Sequence, residues 1–172
     1  PPPPPRRGPA RAAHLARSTP AAAKAASPPQ PPPAVSATRD APVVQLLCDK
    51  GATVDKARDD GVTSLFIASQ KGHDECARIV CKNGASPDLA GGDFVSPLLM
   101  ASRRGHADVV RVLCDAGAQV DLADADGATP LLIATFMDHT EVVSVLCNAG
   151  ANVGLAQHPS FTPLILACTR GH

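Results

Sequence analysis

The chain has 172 residues, no net formal charge, no tryptophan or tyrosine and only four phenylalanines. No apolar run approaches the ~20 residues that span a bilayer, so a membrane-spanning helix is not expected, and the shortage of aromatics favours stacked Leu, Val and Ala over one globular core. The neutral total hides an asymmetry: residues 1–39 carry six basic residues and no acid, while residues 40–172 carry ten basic and sixteen acidic ones, a net −6, which with the missing aromatic platforms argues against nucleic-acid binding.

Thirteen of the eighteen prolines fall at or before Pro42. Residues 1–41 therefore bury too little apolar surface to offset ordering entropy, and disorder with polyproline character is expected. The run Pro1-Pro2-Pro3-Pro4-Pro5-Arg6 has the form of an SH3-domain ligand, a preformed polyproline helix followed by a base. A plain spacer is the other reading. The Arg-, Ala- and Ser-rich, acid-free composition also matches an organelle-targeting segment.

Pro42 to Lys50 is predicted as a helix with Val43, Val44, Leu46, Leu47 and Cys48 on its apolar face. From there the chain repeats every 33 residues. Cys48, Cys81, Cys114 and Cys147 keep this step, as do Leu65, Leu98, Leu131 and Leu164, Ala68, Ala101, Ala134 and Ala167, and His73, His106, His139 and His172. A fixed period of this length predicts a solenoid. The units run 42–55 (partial), 56–88, 89–121, 122–154 and 155–172 (partial).

Each full unit reads as turn, short helix, corner, longer helix and glycine. Thr63, Ser96, Thr129 and Thr162 are predicted hydroxyl N-caps, the last three followed by proline at the first helical position. Glu75, Asp108 and Glu141 sit in the first turn of each second helix, the favourable sign for its dipole. Gly72, Gly105 and Gly171 mark the corner between helices, and Asp138 stands in for glycine there. Asp60-Gly61 and Asp126-Gly127 suit hairpin turns. Asp93-Phe94 breaks that pattern, with Gly91-Gly92 expected to compensate.

The last unit predicts one helix, with Leu164, Ile165 and Leu166 left uncovered. The chain starts at Pro1 rather than methionine and stops at His172 inside a unit. It therefore reads as a piece of a longer protein, with further repeats expected beyond.

The repeated cysteines lack Cys-x-x-Cys spacing. One per repeat, ~10 Å apart, they lie beyond the ~7 Å limit for a disulfide. They read as small buried hydrophobes, Cys114 in particular, in a reducing intracellular compartment, cytoplasm or nucleus. The histidine column is spaced too widely to share a metal ion. GxGxxG, GxxxxGK[ST], HExxH and GxSxG motifs are absent. Catalysis, a metal and a cofactor are not expected.

The unit resembles the ankyrin repeat, on the motifs Thr63-Ser64-Leu65-Phe66, Ser96-Pro97-Leu98-Leu99, Thr129-Pro130-Leu131-Leu132 and Thr162-Pro163-Leu164-Ile165. An apolar residue replaces the family's fourth-position histidine in every copy. The resemblance implies an all-α solenoid of helix-turn-helix units with short β-hairpin fingers. It also implies a non-catalytic scaffold or adaptor that binds protein on a concave groove of finger tips and first-helix ends. A regulatory or substrate-recognition array of a larger enzyme, of kinase or ubiquitin-ligase type, is the alternative.

Carried over by position, the helix-end contacts are Gln70, Lys71, Arg103, Arg104, Phe136, Met137 and Arg170, and the finger contacts include Asp60, Asp93 and Asp126. The basic residues suggest an acidic partner segment, and Phe136-Met137 an apolar anchor point. Solvated charges and local packing of Phe136 under the Asp138 corner are the alternatives.

Overall fold

The computed structural model describes residues 41–91, 94–156 and 161–172. The expectations for residues 1–40, including the Pro1–Arg6 ligand, lie outside the described residues, as do those for Gly92 and Asp93.

Four short helices form an inner layer: α2 (Ser64–Lys71), α4 (Pro97–Arg104), α6 (Pro130–Phe136) and α8 (Pro163–Arg170). Each begins at a predicted hydroxyl. Thr63, Ser96, Thr129 and Thr162 accept from the backbone N–H groups of Phe66, Leu99, Leu132 and Ile165 at 3.2–3.3 Å. That satisfies one of the donors a helix start leaves without an intrahelical partner. Four further helices form the outer layer: α1 (Ala41–Asp49), α3 (Asp74–Lys82), α5 (Ala107–Asp115) and α7 (Thr140–Asn148). Inner helices pack on inner helices, outer on outer, and each inner helix on the outer helix that follows it.

The repeated leucines and alanines fill the space between layers. Leu65, Leu98, Leu131, Ala68, Ala101 and Ala134 are buried with Val109, Val110, Leu113, Val142 and Leu146 in one continuous core. Each such leucine contributes about 1.5–3 kcal/mol by leaving water. Leu164, next in the column, is 71% exposed, because no outer helix covers it among the described residues. Ile165 is also exposed, as expected. Leu166 is not: it is buried against Ala128 and Leu132 of the preceding unit.

The corner between layers needs glycine for two reasons. Gly72 and Gly105 have φ of 78° and 77°, and a β-carbon on either would lie 2.7–2.8 Å from the imidazole of His106 or His139 in the next unit. Those rings then reach inward. His106 Nε2 meets the carbonyl oxygen of Gln70 at 3.3 Å, and His139 Nε2 that of Arg103 at 3.2 Å. The histidine column thus supplies polar ties between units. Asp138, with φ 59°, takes the glycine position in the third full unit. There His172 faces the Asp138 carboxylate at 3.5 Å.

A second column escaped the sequence reading. Asp55, Asp88 and Asp121 accept from the backbone N–H groups of Ser86, Gln119 and Asn152, each in the next unit, at 2.9–3.2 Å. On the outer layer Arg111 bridges Asp108 of its own helix and Glu141 of α7.

The fingers are turns rather than β-hairpins. Arg58 donates to Val62, Gly91 to Val95 and Asp124 to Ala128 through backbone bonds of 3.0–3.1 Å. With so few residues per finger no ladder propagates, and no strand occurs among the described residues.

None of the six cysteines is in a disulfide. The expectation of burial needs correction: Cys48, Cys81 and Cys114 are half-buried and Cys147 is exposed. They sit toward the outer edge of the second helices, and no outer helix follows α7 among the described residues. Burial pushes the Cys81 and Cys114 thiols above their ordinary range, with Asp55 and Asp115 adding to the effect.

Candidate protein-recognition groove

The third finger and the ends of α4 and α6 lie along one side of the array. The hollow they enclose is apolar at its base, where Leu132, Ile133 and Leu166 meet Ala128. Phe136, Met137 and Phe161 form its apolar rim, and Arg103, Asp124 and Asp126 its polar rim. Its volume is about 500 Å³. Phe136 and Met137 are 44% and 45% exposed, so neither is core.

Four of the predicted contacts converge here: Arg103, Phe136, Met137 and Asp126. Gln70, Lys71 and Asp60 belong to the first full unit and do not line the hollow. Gln70 is half-buried with its carbonyl engaged by His106, and Lys71 is exposed. Asp60 accepts from the Val62 N–H at 3.2 Å and pairs with Arg58 at 3.4 Å.

The predicted basic strip is divided by its own partners. Arg103 faces Asp124 at 3.7 Å, and the Asp124 side chain is only 9% exposed. Asp124 also accepts from the backbone N–H groups of Asp126 and Ala128, at 3.1 and 2.9 Å, which fixes the third finger. Arg170 lies 3.9 Å above the Phe136 ring and donates to the Phe136 carbonyl oxygen at 2.8 Å. Arg104 is exposed and forms no ion pair among the described residues. Within that strip Arg104 and Lys71 are thus the exposed cations without an ion pair or ring contact among the described residues.

Sequence reasoning missed Asp124 and the floor residues Leu132, Ile133 and Leu166. The 33-residue column through Asp124 reads Arg58, Gly91, Asp124 and Gln157, with no repeated type to mark it. The floor residues looked like ordinary core.

Among the described residues no helix is long and apolar enough to cross a membrane. The family model for ankyrin repeats matches residues 24–91 and 88–157, well over half of the chain. The chain belongs to the ankyrin repeat family. The first match reaches upstream of α1, into residues outside those described. Among curated proteins no match to the chain is found. Ankyrin repeats are in general protein–protein interaction modules.

Proposed function

We propose that this ankyrin array is a non-catalytic recognition module that holds a partner protein in the groove, with the hollow beside Phe136 as the principal anchor point. The observation that carries this reading is the exposure of Phe136, Met137 and Phe161 around a hollow of about 500 Å³. Clustered aromatic and Met side chains with Arg at the rim are typical of the energetic centre of an interface.

The partner segment places an apolar side chain in the hollow and acids beside Arg104 and Lys71. Arg103, already facing Asp124, contributes less. An intracellular setting fits six cysteines without a disulfide.

The test is affinity capture on the full chain to identify a partner, followed by titration with variants. Phe136→Ala is expected to weaken binding by ~2 kcal/mol or more, and Arg103→Ala by less, mainly through on-rate and salt dependence. Circular dichroism should report both variants as folded. Normal binding by Phe136→Ala together with loss in Glu75→Ala, whose side chain lies on outer helix α3, would place the interface on the other face.

A further inference from the structure

Three of the four phenylalanines, Phe94, Phe136 and Phe161, are exposed, and only Phe66 is buried. Phe136 and Phe161 line the hollow. Phe94 does not. It stands on the second finger, 74% exposed, with φ of 59°. The same place in the first and third fingers holds Gly61 and Gly127, with φ of 78° and 80°. The left-handed region crowds a β-carbon against the backbone, and the phenyl ring has no polar group to bond locally in return. Phe94 therefore combines a strained backbone with an apolar side chain left in water, and burial compensates neither. Strain of this kind persists where a function holds it in place.

We propose that Phe94 is a second anchor for the partner, and that the partner segment is an extended peptide with two apolar side chains four residues apart and a basic residue midway between them. This rests on the groove reading above. The hollow lies between the third finger and Phe161, one and a half units from the second finger. At ~8–10 Å between packed helices that distance is ~12–15 Å. Four residues of extended chain span ~13 Å and return the side chain to the same face. Between Phe94 and the floor of the hollow stands the third finger, whose exposed acid is Asp126, Asp124 being already paired with Arg103. The first finger adds Asp59 and Asp60, with Arg58 its one base. The finger row is thus acidic, which selects a base at the midpoint. The residues on either side of that base face the helix ends, where Arg104 favours an acid.

The experiment selects random twelve-residue peptides displayed on phage against the full chain, Phe94→Gly, Phe94→Ala and Phe136→Ala. The full chain is expected to enrich peptides with two apolar positions four apart and a base between. Selection on Phe94→Gly should keep one apolar position and lose the other, and the parent consensus peptide should bind that variant about tenfold more weakly. Phe136→Ala should lose the opposite apolar position. Phe94→Gly should also melt a few degrees higher than the parent. Phe94→Ala, which removes the ring and keeps the strain, should bind as poorly as Phe94→Gly without that gain. A consensus unchanged by either Phe94 variant but altered by Phe136→Ala overturns the Phe94 anchor alone. No enrichment, or a consensus unchanged by any variant, overturns the groove reading with it.

Discussion

The guanidinium of Arg170 stacks 3.9 Å above the ring of Phe136 and binds its carbonyl oxygen at 2.8 Å. In the two preceding interfaces that carbonyl position, Gln70 and then Arg103, is met by histidine. The substitution traces to the corner. Gly72 and Gly105 leave room for an imidazole, while Asp138 brings a β-carbon to the place the ring would occupy. His172 is left beside the Asp138 carboxylate, and Arg170 takes over the tie.

Asp138→Gly should therefore stabilise the array. It relieves a left-handed residue, worth ~1 kcal/mol, and opens the site for His172 to reach the Phe136 carbonyl. A thermal melt is expected to shift upward by a few degrees. An unchanged or lower melting temperature would mean that the Asp138 carboxylate contributes more than its backbone costs.

Two glycines separate close approach from backbone strain. Gly105 and Gly117 have similar φ, 77° and 85°, but only at Gly105 would a β-carbon meet the next unit's histidine. Gly117→Ala should cost ~1 kcal/mol from strain alone. Gly105→Ala should cost ~2 kcal/mol or more, since the His139 ring must also move. Equal losses in urea titration would show that the ring yields freely.

Ser102 is buried and its hydroxyl has no hydrogen-bond partner among the described residues. Ser69 and Thr135, one unit away on either side, bond back to Leu65 and Leu131 at 2.8 Å. An unpartnered buried hydroxyl costs ~1–3 kcal/mol. Ser102→Ala should be neutral or stabilising, and Ser69→Ala neutral or destabilising, by denaturant midpoint. A clear loss at Ser102 would reveal a partner for its hydroxyl.

The thiols should separate by reactivity. Cys81 and Cys114 are half-buried with raised pKa, and Cys147 and Cys168 are exposed. Alkylation at pH 8 followed by mass spectrometry should label the exposed pair first. A thiol whose pKa is higher folded than unfolded favours the folded state until it ionises. Stability from Cys81 and Cys114 is thus intact below the unfolded value, ~8.5, and declines as pH rises through the folded values. Cys114→Ala should flatten that alkaline decline.

Protection against hydrogen exchange should be graded. Helix α1 has no buried residue, and α8 buries only Pro163 and Leu166. Between them, α4 buries six residues and α5 five. Residues 43–50 and 162–172 are expected to exchange before residues 96–147. Uniform protection would contradict nearest-neighbour stacking.

The architecture was legible because its signals are local and repeated. A hydroxyl at each first-helix N-cap, a glycine at every corner but one and a leucine at each core position recur at one step, and four copies expose the pattern. The groove was legible only in outline. Position along the repeat placed Arg103, Phe136, Met137 and Asp126 on one side, but their partners occur once. Arg103 with Asp124 and Arg170 with Phe136 join residues that no periodic column pairs. Phe94 registered as a break in the finger pattern. That the backbone would keep the glycine conformation and display the ring required coordinates. The Asp55, Asp88 and Asp121 column was present in the sequence at the same step, yet acidic residues in turns read as ordinary solvated positions.

That aspartate column bears on how the array carries a load. Each carboxylate holds the backbone of the unit after it, so three of the four junctions have their own latch. Pulled from its two ends, such a stack yields one latch at a time, and each lost unit leaves the next junction as it was. The force trace would be a run of small, similar steps in place of one large rupture, and on release the units would re-engage in turn. A chain built this way is expected to act as a short elastic element.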